Sequence, residues 1–473
     1  MLKAHLRHLY NPIVAVGRTR TVNNPDARSL LLRGGTVLTM DRQASVLTGT
    51  DVLVDNGRIR ALGEDLDAPE GCTVLEVADS WVIPGLIQGH VHLGQTFFRG
   101  LAEGRRLLPW LQERIWPLEA AHDDESAYWC GLLGAVECLL AGTTTIQDIG
   151  LGPGARGLLQ AIRDSGLRAL AGMCLMDDGS GLPAALRQPT ERALTDTAEL
   201  GDEFDGLDHG RVQYLLNPRF ILSCSDSMWR GIRELSEQRG WPIHTHALEQ
   251  EEETVTVQAL KDGRDEIRYF DECGILSSDL RIAHGVWLND AHLTRVRGER
   301  FSVVHCPSAN LKLGSGIANI VKIRSAGVPV GIGADGAACN NDLDPFEELR
   351  LAALLQHVKN GPGSFGGLDA LRLATSEGAT AIGLGEQTGC IEVGKAADLV
   401  VLARDRPEFL GAERVDPHDL IAFGGSRAAV SHVIVAGDIL VQDGELARLN
   451  LAEVRRRAGR CLESLLRRAV LPV

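Results

Sequence analysis

Short apolar runs alternate with longer amphipathic stretches through the middle of this 473-residue chain. Runs with the pattern of strands cover residues 82–88, 143–148, 168–173, 212–216, 242–247, 280–284, 301–305 and 328–333. Between them, helical periodicity covers residues 125–141, 155–165, 227–238 and 254–263. Strands that alternate with helices predict a parallel sheet, and about eight such units over about 250 residues predict a closed (β/α)8 TIM barrel. An open doubly wound α/β sheet is the alternative fold.

Short alternating strands also occur near both ends of the chain. Residues 30–40 and 52–62 carry this pattern before the barrel, and residues 397–402, 430–435 and 437–442 carry it afterwards. We therefore predict a small β-sandwich domain built from both chain ends. The predicted organisation is a flexible N-terminal leader at residues 1–28, the β-sandwich at 29–81 and 389–450, the barrel at 82–388 and a C-terminal helix at 451–473.

Histidine and aspartate recur where the predicted barrel strands end. His90 and His92 end the first strand, and side chains two residues apart in a strand point to the same face. Later strands end in His244-Thr245-His246, His284, His305 and Asp335. Strand ends of a (β/α)8 barrel meet at the face where active sites of this fold lie. Three imidazoles and a carboxylate gathered there would suit Zn²⁺ and leave a position for water.

The chemistry of such a site is hydrolytic. Water bound to Zn²⁺ has a pKa of about 7 and supplies hydroxide at neutral pH. Glu249 follows His246 by three residues and would lie over the metal from the loop, as a proton carrier. His284, on the next strand, would orient the water. The alternative for Glu249 is a solvated helix face, because residues 249–253 form an acidic run.

Composition excludes several classes of protein. The formal charge of −15 at pH 7 and the pI of about 5.4 disfavour a nucleic acid as partner. The sequence shows neither an apolar run of membrane-spanning length nor a secretory signal. Its ten cysteines are scattered without a Cys-x-x-Cys pair, which is typical of a reducing cytosol. We expect a cytoplasmic enzyme with a small-molecule substrate and neither a nucleic acid nor a membrane as partner.

Six short motifs follow one another along the chain. They are PGLIQGHVH at residues 84–92, HTHALE at 244–249, AHG at 283–285, HCPSAN at 305–310, GADG at 333–336 and GKAADLV at 394–400. In kind and in order they resemble the amidohydrolase superfamily, in its branch of metal-dependent aminohydrolases. That branch includes guanine and cytosine deaminases, methylthioadenosine/S-adenosylhomocysteine deaminases and triazine hydrolases.

The resemblance implies one divalent metal per chain, Zn²⁺ in preference to Fe²⁺. The implied ligands are His90, His92, His246 and Asp335. Asp335 would also take a proton from the attacking water, Glu249 would carry it to the ring and the leaving amine, and His284 would polarise the attacking oxygen. Members with two metals use a Lys near the fourth strand, and residues 212–216 contain none. The resemblance further implies a homo-oligomer, a dimer.

Two further histidines are given other roles. His244 shares a strand face with His246, but the superfamily's ligand aligns with His246. We therefore expect His244 to fill a lower layer of the barrel. His305 precedes Cys306-Pro307, and we expect it beside the ligands or at the edge of the substrate.

Candidates for substrate binding follow from a similarity to guanine deaminases. These proteins have a similar Gln after the His-x-His motif, here Gln95, and a similar Pro-Arg-Phe segment, here containing Arg219. A Gln amide can pair with a lactam edge, and an Arg fork can grip a carbonyl oxygen and a ring nitrogen together. The alternative for Arg219 is an ion pair with a carboxylate at the rim of the barrel. Trp110, in the loop that resembles triazine and adenosine-type members, would form a wall of the pocket or lie in the core. His305 and Asn310 would lie at the substrate's edge. This interpretation predicts deamination of guanine, another oxopurine or a pterin.

Other segments favour different substrates. Residues 311–316 and 335–345 are more similar to methylthioadenosine/S-adenosylhomocysteine deaminases, and residues 99–116 resemble triazine and adenosine-type members. The alternatives are an adenosine-type deaminase, or a triazine hydrolase that releases chloride or an alkylamine. Glu249 favours an amine, because an amine must be protonated to leave. A non-catalytic scaffold would have lost ligands, whereas every candidate ligand is present.

Overall fold

The computed structural model of the protein describes residues 29–471, so the predicted leader, residues 1–28, lies outside the described residues. The strands are β1 Ser29–Leu38, β2 Val46–Asp55, β3 Arg58–Gly63, β4 Thr73–Glu76, β5 Ser80–Pro84, β6 Leu86–His92, β7 Thr143–Asp148, β8 Arg168–Ala171, β9 Cys174–Leu175, β10 Val212–Tyr214, β11 Asn217–Pro218, β12 Ile243–Ala247, β13 Leu280–His284, β14 Phe301–His305, β15 Val330–Ile332, β16 Asp335–Gly336, β17 Leu399–Ala403, β18 Val430–Val435, β19 Asp438–Gln442 and β20 Glu445–Leu446.

Helices occupy most of the connections between these strands. The α-helices are Leu107–Trp110, Trp116–Glu119, Asp124–Leu140, Ala155–Ser165, Thr190–Phe204, Leu207–Gly210, Asp226–Arg239, Glu251–Leu260, Glu266–Glu272, Asp290–Arg295, Pro307–Lys312, Ile320–Ser325, Pro345–Asn360, Gly367–Leu373, Ser376–Ala381, Pro417–Gly424 and Leu451–Arg468. Leu111–Ile115 forms a π-helical turn. The last α-helix lies within the predicted C-terminal helix. None of the helices in residues 29–471 is long and apolar enough to cross a membrane.

Parallel strands form the centre of a mixed α/β fold. One parallel ladder runs β10-β8-β7-β6-β16 and another runs β12-β13-β14-β15. A bridge between Leu216 and Ile243 links the two ladders at one side. At the other side, the short strand β16 follows β15 in the chain and pairs with β6. Every residue of β13 and β14 is buried, as is typical of strands covered on both faces.

The strands near the two chain ends pair with one another. The ladder order β20-β19-β18-β17-β5-β1-β2-β3, with β4 beside β1, makes one continuous nine-stranded sheet, the terminal sheet. In this sheet β5 is parallel to β1 and antiparallel to β17. A separate apolar cluster buries side chains from both ends, including Leu32, Val54, Leu399 and Ile434. The two ends of the chain therefore share one hydrophobic core.

The strand predicted at residues 82–88 is wrong in its bounds. The structure divides this region into β5, in the terminal sheet, and β6, in the parallel ladder. Gly85 separates them, and a Cβ atom at this position would lie 2.0 Å from Thr144 Oγ1. Glycine therefore allows the chain to pass against β7 as it changes from one sheet to the other.

A buried ion pair joins the parallel ladder to the terminal sheet. Arg168, on β8, donates two hydrogen bonds to Asp398 at 2.6 and 3.1 Å, and both side chains are buried. Asp398 Oδ1 also accepts a hydrogen bond from the Ala436 backbone. Because removing one partner leaves a buried charge uncompensated, we expect Asp398→Ala to lower the free energy of unfolding by about 3–5 kcal/mol.

Chemical denaturation measures this effect, and Asp196→Ala is the matched control. Asp196 pairs with Arg192 on an exposed helix face. Removing this exposed pair should cost about 0–1 kcal/mol. Equal losses in the two variants would contradict a special role for the buried pair.

Candidate metal centre and active site

Three of the predicted ligands converge where β6 and β16 lie side by side. β16 pairs Asp335 with Val91, which places the Asp335 carboxylate between His90 and His92. Asp335 Oδ1 lies 3.3 Å from Nε2 of His90 and 3.3 Å from Nε2 of His92. All three side chains are buried. The sequence placed these residues about 240 positions apart, and the strand pairing brings them together.

The fourth predicted ligand, His246, arrives from β12. Its Nε2 lies 3.1 Å from Nε2 of His92. Its Nδ1 lies 2.6 Å from the carbonyl oxygen of Arg219. A carbonyl can only accept, so Nδ1 of His246 carries the proton and Nε2 presents a lone pair. The structure therefore gathers all four residues that the sequence predicted as ligands.

The donor set fits a divalent cation such as Zn²⁺. Two overlapping groups have ligand atoms within 4.8 Å of one another: His90 with His92 and Asp335, and His90 with His246 and His284. Nε2 of His90 is buried and has no hydrogen-bond partner among the described residues. Imidazole and carboxylate are ligands that Zn²⁺ accepts at a tetrahedral site. An open lone pair beside a carboxylate, in a buried position, favours a cation between them.

Protonation in the site also suits a cation. Burial lowers the pKa of His90, and burial with the neighbouring imidazoles lowers the pKa of His92 and His246 well below the usual value. Burial alone would raise the pKa of Asp335, but His90 beside it holds that pKa below its usual value. Metal ligands must be neutral imidazoles and charged carboxylates, so little proton release is required of these groups.

Strained backbone marks the ends of three strands at this site. Asp335 has φ 62° and His284 has φ 74°, both in the left-handed region that non-glycine residues seldom occupy. Leu248, directly after β12, has φ 55°. Directly after this residue comes Glu249, which lines one cavity with His92, His246 and Asp335. Such strain concentrates at functional sites, where packing holds the unfavourable conformation.

Glu249 and His284 face each other beside the ligands. Glu249 Oε2 lies 3.5 Å from Nε2 of His284, and Glu249 Oε1 accepts a hydrogen bond from Ser315 at 3.1 Å. Burial, and then the nearby Asp335 carboxylate, raise the pKa of Glu249 to about 8. Nδ1 of His284 lies 2.9 Å from Asn310 Oδ1, an acceptor, so the proton of His284 sits on Nδ1. A protonated Glu249 can therefore donate towards Nε2 of His284.

A narrow cavity opens onto these groups. Seven side chains that the sequence predicted for the site line this cavity: His92, Trp110, Arg219, His246, Glu249, His284 and Asp335. The remaining wall is formed by Leu107, Leu111, Phe220, Glu253 and Leu313. Apolar side chains beside convergent polar groups are typical of small-molecule sites.

A family model adds the decisive observation. The Amidohydrolase family matches residues 81–440, which is most of the chain. The chain belongs to the amidohydrolase family. The sequence-based resemblance is therefore confirmed, and with it the expectation of a hydrolase.

Several amidohydrolase relatives match almost the full chain. A 5'-deoxyadenosine deaminase of Methanopyrus kandleri is 34% identical over 92% of this chain and 99% of its own length. A 5-methylthioadenosine/S-adenosylhomocysteine deaminase of Pelotomaculum thermopropionicum is 31% identical over 91% and 98%. Among solved structures, an adenosine deaminase from Xanthomonas campestris with bound zinc superimposes with a TM-score of 0.86 at 30% identity, over 94% of this chain and all of that chain.

More distant structures agree in fold alone. Guanine deaminase of Escherichia coli has a TM-score of 0.79 at 23% identity and covers 88% of this chain and 99% of its own. Triazine hydrolase of Arthrobacter aurescens has a TM-score of 0.85 at 24% identity, with coverages of 92% and 99%. The guanine deaminase resemblance that supported the predicted substrate is therefore weaker than the adenosine-type one.

Arg219 forms an ion pair with a carboxylate, which was the alternative to a substrate contact, and Gln95 contacts the same carboxylate. Gln95 Nε2 lies 3.1 Å from Nδ1 of His92 and donates to Glu119 Oε1 at 2.9 Å, behind the ligands and outside the cavity wall. Arg219 Nη1 donates to Glu119 Oε2 at 2.7 Å, and both side chains are buried. The two groups proposed to grip a lactam are thus already paired with one carboxylate. A role of Gln95 in substrate binding stays a prediction without support from this geometry.

The tautomer of His92 depends on this Gln95 contact. With the amide nitrogen donating to Nδ1, His92 carries its proton on Nε2, towards Asp335. If a metal binds Nε2 of His92, that atom must lose its proton and Nδ1 must carry one. Nδ1–H can then donate to the side-chain carbonyl oxygen of Gln95, provided that the Gln95 amide rotates. That oxygen, Oε1, has no hydrogen-bond partner among the described residues.

Glu119 is the residue that the sequence-based interpretation missed. It is 2% exposed and links Gln95 to Arg219 below the cavity. A signal was present, because this acid lies within the apolar run Ile115-Trp116-Pro117-Leu118 and its continuation Ala120-Ala121. A carboxylate in such a run is seldom buried without a partner. Glu253, on the cavity wall, was likewise treated only as part of the acidic run.

His305 and Asn310 do not line the cavity. Both nitrogens of the buried His305 lack hydrogen-bond partners among residues 29–471, and burial lowers its pKa to about 3. Asn310 is the partner of His284 and is 1% exposed. In this structure Asn310 positions a group that faces the cavity, and direct contact of either residue with a substrate stays a prediction.

Proposed function

We propose that the protein is a metal-dependent hydrolytic deaminase that converts an adenosine-type nucleoside to its 6-oxo product and ammonia. The observation that carries this proposal is the convergence of His90, His92, His246 and Asp335, of which all but His90 line one cavity together with Glu249. The named relatives supply the substrate class, since the two described above deaminate 5'-deoxyadenosine and methylthioadenosine or S-adenosylhomocysteine.

The proposed cofactor is one Zn²⁺, held by the same three histidines and Asp335. The zinc in the adenosine deaminase structure supports this choice over Fe²⁺. When bound, such an ion lowers the pKa of a coordinated water to about 7. The remaining chemistry belongs to side chains of this chain.

Two carboxyl groups of unlike protonation divide the proton transfers between them. Asp335, whose pKa is lowered, is charged and accepts a proton from the attacking water. Glu249, whose pKa is raised to about 8, begins protonated and donates to a ring nitrogen as the water oxygen adds to C6. Glu249, now a carboxylate, takes the proton that Asp335 removed from the water and carries it to the exocyclic amine, so that the bond from C6 to nitrogen breaks and ammonia leaves. The proton of the added hydroxyl group returns to Glu249 as the 6-oxo group forms, which restores both carboxyl groups to their starting forms. Unlike environments for neighbouring acids are the usual way of dividing such roles.

His284 and Ser315 hold Glu249 in place for both transfers. Ser315 donates to Oε1 of Glu249, which leaves Oε2 directed towards His284 and the cavity. Asn310 fixes the His284 ring with its lone pair on the cavity side. We infer that His284 accepts a hydrogen bond from the attacking water and so orients it.

The cavity supports an adenosine-type substrate over an oxopurine. A 6-oxo ring needs donors for its carbonyl, and the amide of Gln95 and one arm of Arg219 are occupied by Glu119 and His92. The leucines, Trp110 and Phe220 on the wall suit a purine face and an apolar 5' substituent. The adenosine-type alternative therefore replaces guanine or pterin as our proposal.

A substrate panel tests this proposal. Zinc-loaded enzyme should release ammonia fastest from 5'-deoxyadenosine and 5'-methylthioadenosine, with adenosine and S-adenosylhomocysteine as further candidates. Guanine, 8-oxoguanine, pterin, cytosine and amino- and chloro-triazines complete the panel. Preferred turnover of guanine or pterin would overturn the substrate class. Release of chloride without ammonia would replace the deaminase by a triazine hydrolase.

We also infer the architecture around the site. The Leu216–Ile243 bridge and the β16–β6 pairing support a single closed (β/α)8 barrel formed by β6, β7, β8, β10, β12, β13, β14 and β15. The shared apolar cluster supports a small β-sandwich domain from both chain ends. A homo-oligomeric state and a cytoplasmic location, both expected from the sequence, remain predictions.

A further inference from the structure

A second layer of buried polar side chains lies directly beneath His90. Nδ1 of His90 lies 2.8 Å from Nε2 of His244. Nδ1 of His244 in turn lies 3.0 Å from the backbone carbonyl oxygen of Arg281. His90 and His244 are both completely buried. His244 was expected only to fill this layer, and the contacts give it a specific geometry.

If both imidazole rings are neutral, only one placement of their protons satisfies the hydrogen bonds from His90 through His244 to Arg281. The Arg281 carbonyl can only accept, so Nδ1 of His244 must carry its proton. Nε2 of His244 is then an acceptor, and Nδ1 of His90 must donate to it. This leaves Nε2 of His90 without a proton, and that atom has no hydrogen-bond partner among the described residues. The lone pair of His90 therefore points towards Asp335, where a ligand atom is required.

The carbonyl at the start of this chain is itself held firmly. Arg281 lies opposite His244 in the β12–β13 ladder. Its guanidinium donates to Asp279 at 3.1 and 2.9 Å and to Gln147 Oε1 at 3.0 Å. Gln147 donates at 2.8 Å to the carbonyl of Gly89, the residue before His90. The contacts thus form a closed circuit that begins and ends next to His90.

We propose that His244 is a positioning residue that fixes the ring and the tautomer of His90 for metal binding. Both of its nitrogens are used, one by His90 and one by Arg281, so His244 is not itself a ligand. Partners of this kind orient metal-bound histidines and raise their basicity, and their loss costs about 10–100-fold in metal affinity. The inference rests on the proposed metal site.

Two substitutions at this position separate hydrogen bonding from packing. His244→Phe keeps a ring of similar size and removes both nitrogens. His244→Gln places an amide near the position of Nε2, where its oxygen can accept from His90. The control is Ser302→Ala on β14. Ser302 lies opposite Arg281 in the β13–β14 ladder and donates to the Ala381 carbonyl at 2.6 Å, so this variant removes a buried hydrogen bond in a neighbouring strand without touching the circuit.

The measurement is the Zn²⁺ dissociation constant, obtained by competition with a chromophoric chelator, together with Tm of the metal-free and zinc-saturated forms. We expect His244→Phe to weaken Zn²⁺ binding about 10–100-fold and to shrink the difference in Tm between the two forms. His244→Gln should recover part of the affinity. Ser302→Ala should lower both Tm values together and leave the dissociation constant within about twofold of wild type.

Three other results for these variants would contradict the role of His244. Wild-type affinity in His244→Phe would overturn the inference. An equal loss in His244→Phe and Ser302→Ala would show a general packing effect and would also overturn it. If His244→Phe does not fold, His244→Gln and His244→Asn replace it. The asparagine side chain is too short to reach His90, so wild-type Zn²⁺ affinity in both folded variants would refute the inference. If the wild-type protein binds no divalent ion, the proposed metal site fails, which is a separate result.

Discussion

Glu249→Gln should lower kcat by about 10²–10⁴-fold, the usual contribution of a general acid or base, while the zinc content stays at the wild-type level. Glutamine has the size of glutamate and can keep the hydrogen bond from Ser315, but it cannot deliver a proton. The ligand atoms of the site belong to other residues, so metal binding should persist. Steady-state ammonia release and metal analysis of the same preparation measure the two quantities.

The matched control is Glu251→Gln, in the same acidic run. Glu251 is exposed and lies in the first turn of the helix Glu251–Leu260. Its substitution should change kcat by less than about twofold, because Glu251 does not line the cavity. If Glu249→Gln retained most of the wild-type kcat, Glu249 would not be the proton carrier.

Removal of the metal should abolish turnover completely, and Zn²⁺ should restore it only where the ligand set is intact. We expect a chelated wild-type enzyme to regain activity with one equivalent of Zn²⁺. His90→Ala and Asp335→Ala should neither bind that equivalent tightly nor recover, because each removes one atom of a buried four-donor set. The reactivation titration and the bound-metal stoichiometry are measured together.

His432→Ala controls for the loss of a histidine. His432 lies on β18 in the terminal sheet, partly buried beside Ser431. This variant should reactivate as the wild type does. Full activity in thoroughly metal-stripped wild-type protein would contradict the metal-dependent mechanism, and recovery of Asp335→Ala with Zn²⁺ would remove Asp335 from the ligand set.

The local sequence pattern was sufficient to predict the bounds of strands that are continuous and buried. The bounds predicted for β7, β13 and β14 agree with the structure, because runs such as Phe-Ser-Val-Val-His combine β-branched residues with burial on both faces. The division of residues 80–92 into β5 and β6 was not readable from periodicity. It depends on which neighbouring strand each half pairs with, β17 or β7, and those partners are distant in sequence.

The sequence indicated which residues gather at the proposed metal site, but it did not indicate the surroundings of the proposed substrate contacts, for a physical reason. His90, His92 and His246 could be recognised in the sequence by their residue type and by their spacing of two residues in a strand. The environment of Arg219 depends on Glu119, which lies 100 positions earlier and on a different element. Spacing along the chain carries no information about such a pair. The role expected of Gln95 is likewise affected by Glu119, to which its amide donates a hydrogen bond.

The pairing of β5 with β17 has a consequence for biosynthesis. Once β1–β5 have left the ribosome, the edge of β5 that will receive β17 has no partner until roughly 300 further residues are made, which takes about 15–60 seconds at 5–20 residues per second. An open apolar strand edge is a template for pairing with other chains. The nascent protein should therefore aggregate most readily during this interval, and it should depend on chaperones before the C-terminal strands emerge rather than after release.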